Sequence, residues 1–329
     1  MHMIDLNKIK DFFILDLANN HFGDLSHALK VIDNFGVMIN KLKIDATIKL
    51  QFRNLDSYIH KSINSSDTSN RYVERFNSTK LSRNEFKTII KRIQSFKLKT
   101  MSTPFDEDSF SLINDLNIDI IKIASTSAND KSLLKEVKKT NKPCVISVGG
   151  KDIEQIDQIV NFFESYTNNF IIQHCVAVYP TSDDELELNQ ISFLKNRYPK
   201  IKIGYSTHED PSNLDPIKMA YALGAECFER HIGIKSKKYP LNAYSSTPNQ
   251  FENWIKSYKQ AKILLGSKNK KPISIKESET LNSLARGVYA KININDKSEL
   301  SSRNVYYSFP LQKDQLSSNE FDEKKFISV

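Results

Sequence analysis

The sequence predicts an α/β protein, a (β/α)8 TIM barrel followed by a small β-rich C-terminal piece. Short β-branched or aromatic runs alternate with amphipathic stretches, and the alternation repeats eight times across roughly 255 of the 329 residues. No GxGxxG string follows the first run. Strict alternation brings strands together in parallel, because each helix returns the chain across the sheet. Eight units of this total length fit a closed barrel, and the missing glycine fingerprint removes the main support for a doubly wound dinucleotide-binding sheet.

Taken in order, each unit pairs an apolar run with an amphipathic one, and each run ends in polar residues. Strand one, Phe12–Leu17, leads into LDLANNHFGD with Asp16, Asn20 and His21, and then into helix Ser26–Lys41. Strand two, Ala46–Phe52, carries Lys49 and Gln51 in IKLQF. A polar Ser- and Asn-rich stretch, Arg53–Ser82, separates it from helix Asn84–Phe96. Strand three, Leu98–Ser102, ends in MSTPFDEDS with Ser102 and Thr103, before helix Asp108–Leu116. Strand four, Asp119–Ala124, holds Lys122 and is followed by Ser125 and helix Asp130–Thr140. Strand five, Pro143–Ser147, supplies Ser147 and the pair Gly149-Gly150 before helix Ile153–Ser165. Strand six, Phe170–Cys175, supplies His174 and, beyond it, Tyr179, before helix Glu187–Arg197. Strands seven and eight, Ile201–Tyr205 and Ala225–His231, end in GYSTHED and FERHIG, with helices Asn213–Leu223 and Pro248–Leu265. In such barrels chemistry sits at the carboxyl ends of the strands, where these polar groups fall.

The stretch Arg53–Ser82 is longer than most strand-to-helix connections, so it is expected over that end of the barrel as a lid. The domain reading is 1–266 for the barrel, 267–280 for a lysine-rich linker, and 281–329 for a tail with a hairpin pattern around ARGVYAKININDKSELSS. A piece that small rarely folds alone and is expected to pack on the barrel or on a partner chain. With nine glycines for so many turns, Asn and Asp are expected at some left-handed positions.

Lysine and arginine number 47 against 39 acids, a net of +8, but the lysines are spread along the whole chain. A nucleic-acid surface needs clustering with interleaved aromatics, so nucleic acid is not an expected partner; a basic pocket for an anionic small molecule is. No apolar run reaches the roughly 18 residues of a membrane span, and the start lacks signal-peptide order, so a cytoplasmic protein without membrane association is expected. Cys144, Cys175 and Cys227 each lie in an apolar run with no CxxC spacing, as buried reduced cysteines do.

His208 and His231 close neighbouring strands, and two imidazoles on one rim either hold a divalent metal with water or form a hydrogen-bonded structural pair. Glu229, two residues before His231, faces the same side and can be a ligand, an orienting carboxylate or a substrate contact. Lys49 and Lys122 lie inside apolar strands, where an unpaired ammonium is costly. Each pairs with Asp16, Asp45 or Glu229, or the two join Ser125, Ser147 and the Gly149-Gly150 backbone in binding a phosphate and a carboxylate of one small ligand. A Schiff-base role for either lysine is also open.

The strings NNHFGD, IKLQF, MSTPFDEDS, IKIAS, GYSTHED, ALGAECFERHI and AYSSTP, in this order from about residue 12 to 266, resemble the N-acetylneuraminate (sialic acid) synthase family, the phosphoenolpyruvate-dependent nonulosonate synthases. The tail resembles a shortened antifreeze-like (SAF) domain, which in the family reaches over the partner's barrel in a homodimer. The resemblance implies condensation of phosphoenolpyruvate with the aldehyde of an acylated amino sugar, with release of phosphate. It implies that His208 and His231 hold a divalent metal, Mn²⁺ foremost, with Mg²⁺ and Co²⁺ as alternatives. It places Lys49, Lys122, Ser125, Ser147 and Ser206 on phosphoenolpyruvate, Gln51, Thr103 and Tyr179 along the pocket, and Asp16 and Glu229 in the catalytic set, Glu229 against the sugar.

Several positions depart from the family pattern. Asp16 stands for Glu, Thr126-Ser127 for Gly-Glu, Ala177 for a polar residue, and Leu241 within YPLN for an aspartate; YYSFP stands near the place of an Arg-Pro segment. The phosphoenolpyruvate and metal half is kept and the sugar half rewritten, so the expected acceptor is not N-acetylmannosamine. Two rival readings are a barrel that binds an anion without catalysis and a lysine Schiff-base aldolase.

Overall fold

The computed structural model describes residues 4–63 and 70–322. The chain folds as two units, Met1–Leu265 and Gly266–Val329. In the first, eight parallel strands close into a barrel, β8 pairing back onto β1. The order is β1 (Phe12–Asp16), α1 (Leu25–Leu42), β2 (Ala46–Phe52), α2 (Leu55–Tyr58), α3 (Arg71–Ser78), α4 (Arg83–Ser95), β3 (Lys99–Pro104), α5 (Glu107–Asp115), β4 (Ile120–Ile123), α6 (Lys131–Lys138), β5 (Cys144–Ser147), α7 (Ile153–Glu164), β6 (Phe170–Cys175), α8 (Asn189–Arg197), β7 (Lys202–Thr207), α9 (Asp215–Ala222), β8 (Cys227–His231) and α10 (Pro248–Leu265). Every expected strand and helix of the barrel forms.

Side chains alternate across each strand with a period of two, and this places the site. Outward residues such as Phe13, Leu15, Ile48 and Leu50 pack under the helices in one large core. Inward, Phe12, Ile14, Met101, Ile120, Val145, Ile171 and Cys227 form an apolar layer, joined by Leu6 from the N-terminal segment. One inward step further along the same strands come Asp16, Thr103, Lys122, Ser147, Gln173 and Glu229. The barrel therefore has a greasy floor and a polar upper layer.

The stretch Arg53–Ser82, expected as a polar loop, contains α2 and α3 and supplies Ser82, which forms a capping box with Glu85 at the start of α4. Residues 64–69 of that lid expectation lie outside the described residues. Asp11, Asn117 and Asn141 take left-handed conformations, as the low glycine count requires, but so do Lys43 and Lys97. All three cysteines are buried and unpaired.

In the second unit α11 (Ile275–Ser283), capped by Ser274, occupies the end of the stretch expected as linker. β9 (Gly287–Ala290) pairs antiparallel with β10 (Val305–Ser308), so the hairpin partner lies beyond the expected stretch, inside the YYSFP region. Residues 323–329 of the expected tail lie outside the described residues. Among the described residues no helix is long and apolar enough to cross a membrane.

Candidate active site

Four ionisable side chains meet above the floor. Lys49 Nζ lies 2.9 Å from Asp16 Oδ2 and 2.5 Å from Glu229 Oε1. Lys122 Nζ lies 3.5 Å from Glu229 Oε2 and donates to Ser147 Oγ at 2.5 Å and to the Ile123 carbonyl at 3.2 Å. Each of the four residues is at most 4% exposed. Charges this deep persist only when paired. Register explains the meeting: Asp16 stands opposite Lys49 on β2 and opposite His231 on β8. Asp45, the third carboxylate considered for the lysines, is exposed just before β2 and takes no part.

The balance of burial and charge differs among the four. Burial alone raises the Asp16 pKa, but Lys49 and then His231 outweigh it and hold the carboxyl below its ordinary value. Glu229 follows the same logic, with Lys122 and Lys49 overcoming burial. Burial pulls Lys49 down, yet Asp16 and Glu229 together lift it above the usual lysine value. Lys122 has only one close carboxylate, so burial wins and its pKa is lowered, with repulsion from Lys49 adding to the effect.

Around this quartet stand the neutral donors. Gln51 Nε2 donates to Asp16 Oδ2 at 3.1 Å, and its Oε1 accepts from Arg53 Nη2 at 3.2 Å, which fixes the orientation of the amide. Ser125 Oγ accepts the Gly149 N–H at 2.9 Å. A Cβ at Gly149 would fall 2.8 Å from Cys175 Sγ and 3.0 Å from Ser125 Oγ, so only glycine allows this approach. Thr103 Oγ1 is buried with no hydrogen-bond partner among the described residues. Ser206 stands opposite Glu229 in the β7–β8 register.

The two histidines come together at the rim, ring centroids 5.3 Å apart. Tyr179, half exposed, packs tilted against His208 with ring centroids 4.2 Å apart, and the Tyr244 ring lies 5.2 Å from that of His231. His208 Nδ1 is 2.9 Å from the Val176 carbonyl, so Nδ1 carries the proton and Nε2 the lone pair. Burial, then the neighbouring His231, pushes His208 down to about 3. Burial also lowers His231, although Asp16 opposes it. Two neutral imidazoles on one rim fit a divalent ion whose remaining positions are filled by water or substrate. Among the described residues no group of three or more His, Cys, Asp or Glu is placed to hold a metal ion.

All twelve site residues expected from sequence thus gather at one end of the barrel. His174 and Ser102, also noted at strand ends, fall on the other parity: His174 Nε2 meets the Leu186 carbonyl and Ser102 donates to the Leu50 carbonyl. Sequence reasoning missed Arg53, Tyr244 and a buried pair outside the barrel wall, Arg230 Nη2 to Glu209 Oε1 at 3.2 Å. Tyr205 donates to the same Glu209, and the Arg230 guanidinium sits 5.2 Å from the Trp254 ring. This pair joins the residue after His208 to the residue before His231. The only available signal was the neighbouring FERH and THED strings, which do not reveal that their alternate side chains meet.

The fold and the site define a (β/α)8 barrel with its buried charges and imidazoles collected at the carboxyl end of the strands, where barrels of this class place their chemistry. The chain belongs to the NeuB family, whose model matches residues 39–270. A protein from Methanocaldococcus jannaschii is 30% identical over 91% of this chain and 85% of its own length, and is uncharacterized. A pseudaminic acid synthase from Campylobacter jejuni is 28% identical over 90% of this chain and 86% of its own. Among solved structures, a candidate spore coat polysaccharide biosynthesis protein E from Chromobacterium violaceum superposes with a TM-score of 0.91 at 38% identity, covering 96% of this chain and 94% of the other. The family resemblance read from the ordered motifs is borne out.

Proposed function

We propose that this chain joins phosphoenolpyruvate to the open-chain aldehyde of an acylated amino sugar, taking up water and releasing phosphate to leave a nonulosonic, sialic-acid-like acid. The observation that carries this reading is one cup holding two buried lysines with the hydroxyls of Ser147 and Ser125, the latter fixed by the Gly149 N–H, a donor set matched to a phosphate and a carboxylate on one small molecule. The pseudaminic acid synthase relative supports it.

In this reading Lys49, Lys122, Ser125, Ser147 and Ser206 bind phosphoenolpyruvate, while Thr103, Gln51 and Tyr179 line the pocket. Asp16 and Glu229, ionised at neutral pH, hold the lysines in place before substrate arrives. Glu229 Oε2, 3.5 Å from Lys122 Nζ, makes no hydrogen bond among the described residues and would accept one from the sugar. His208 and His231 would hold a divalent ion, Mn²⁺ foremost, which when bound polarises the aldehyde oxygen as a Lewis acid. Carbon three of phosphoenolpyruvate bonds to the aldehyde carbon, water adds at carbon two, and the tetrahedral centre expels phosphate. Acceleration comes mainly from positioning and from charge already arranged in the cup.

Phosphate release from phosphoenolpyruvate, measured with a panel of hexosamine aldehydes and Mn²⁺, tests the reading. Release is expected only when aldehyde is present and is lost with chelator. No release with any aldehyde supports a non-catalytic anion-binding barrel, and borohydride trapping of pyruvate on Lys49 or Lys122 supports the Schiff-base alternative.

A further inference from the structure

The parallel register of β7 and β8 ends at Thr207 opposite Arg230, one residue short of each rim histidine. Beyond that point the backbone holds the two histidines to different neighbours. On the β7 side the His208 carbonyl accepts the Thr181 N–H at 3.1 Å, and His208 Nδ1 donates to the Val176 carbonyl at 2.9 Å, both in the segment that follows β6. On the β8 side the His231 carbonyl accepts the Ser246 N–H at 2.9 Å, and the next residue, Ile232, donates its N–H to the Asp16 carbonyl at 2.9 Å. Each histidine is fixed to its own side, and none of these bonds sets the gap between the two rings.

The link across that gap lies on the back of the barrel wall. Side chains alternate, so His208 and His231 face the cup while Glu209, which follows the first, and Arg230, which precedes the second, face outward. There Arg230 Nη2 donates to Glu209 Oε1 at 3.2 Å and to the Asp210 carbonyl at 3.4 Å, and the Tyr205 hydroxyl donates to Glu209 Oε2 at 3.2 Å. One carboxylate oxygen is thereby engaged by β7 and the other by β8. Both charged residues are 0% exposed, and Trp254 of α10 covers the guanidinium with its ring centroid 5.2 Å away. Arg230 Nε and Nη1 have no hydrogen-bond partner among the described residues, so the attachment runs through Glu209 and the Asp210 carbonyl. A buried ion pair adds little net stability over an apolar pair of the same volume, and what sets it apart is the geometry it fixes.

We propose that Arg230 and Glu209 are positioning residues for the imidazole pair: their bridge sets the separation of His208 and His231, whose ring centroids are 5.3 Å apart, so that one divalent ion takes both rings, a role that rests on the reading that this pair holds such an ion. Neither residue touches ion or substrate. Both act through the histidine beside them in the chain, as outer partners of metal ligands do.

The test is calorimetric titration of the metal-free full chain with Co²⁺, with thermal midpoints recorded on the same samples. Glu209→Leu combined with Arg230→Met removes the bridge and strands no charge. This double variant is expected to melt near the wild type and yet to bind Co²⁺ about tenfold more weakly. Glu209→Gln keeps an oxygen for Arg230 and the outline of the side chain, and is expected to bind Co²⁺ within about threefold of the wild type. Wild-type affinity in the double variant overturns the proposal, because the bridge then serves the fold alone. A loss in Glu209→Gln as large as that in the double variant also overturns it, because charge and not the bridge is then responsible. Co²⁺ that binds the wild type and His208→Ala equally, or binds neither, strikes the metal reading itself, and the bridge's role with it.

Discussion

Glu229→Gln keeps the volume of the side chain that bridges the two buried lysines and removes its charge. Lys49 retains Asp16 at 2.9 Å. Lys122 is left with Ser147 and the Ile123 carbonyl, neither of them anionic, in a place where burial already lowers its pKa. Breaking a buried pair from one side costs roughly 3–5 kcal/mol. Because Lys49 keeps a partner, the lower end, about 3 kcal/mol, is expected, which corresponds to a fall in thermal midpoint of roughly 6–12 °C. Circular dichroism during urea and thermal denaturation measures it. The folded-state pKa of Glu229 lies below its ordinary 4.5, so its contribution is fully present above that value and is lost as pH falls through the depressed one. The gap between wild type and variant should therefore hold steady from neutral pH down to about 4.5 and narrow below it. Adding Lys122→Met should recover part of the loss, since the stranded ammonium is then gone. A difference under about 0.5 kcal/mol at neutral pH refutes the claim that Glu229 neutralises the lysines.

Glu209→Leu should cost roughly 3–5 kcal/mol in urea denaturation by stranding Arg230, and Arg230→Met in the same chain should restore most of it; losses that simply add contradict the pairing. Gly149→Ala should cost about 1–3 kcal/mol through its contact with Cys175 and weaken phosphoenolpyruvate binding about tenfold in calorimetry by moving Ser125. Unaltered affinity in that variant removes the Ser125–Gly149 arrangement from the binding site. His208→Ala should retain the far-ultraviolet spectrum and lose metal-dependent phosphate release, and unchanged turnover takes His208 out of the mechanism.

The barrel was legible because strands buried on both faces are written as apolar runs, and the site because its residues sit within two or three positions of each run's end. The two-residue period then separates Lys122 and Glu229, inward, from His174 and Ser102, outward; strand-end position alone did not make that separation. The segment α2–α3 was not legible. α3 is only eight residues long, too short for Tyr72, Val73 and Phe76 to establish a helical period in a polar stretch. Arg53 was invisible for a related reason: Phe76 and Phe105, the rings that clamp it, lie on α3 and just beyond β3, far along the chain. The lysine partners were narrowed to three carboxylates by charge, and only register, which puts Asp16 opposite Lys49, chose among them.

The central claim is that the buried lysines and the paired histidines form one site for phosphoenolpyruvate and a divalent ion. Diffraction from crystals soaked with phosphoenolpyruvate and Mn²⁺, with anomalous scattering to locate the metal, tests it most directly. The phosphate and carboxylate should lie on Lys49, Lys122, Ser125 and Ser147, with the anomalous peak between the imidazoles of His208 and His231. Phosphoenolpyruvate bound elsewhere, or Mn²⁺ held by other residues while this pair stays bare, would contradict the account.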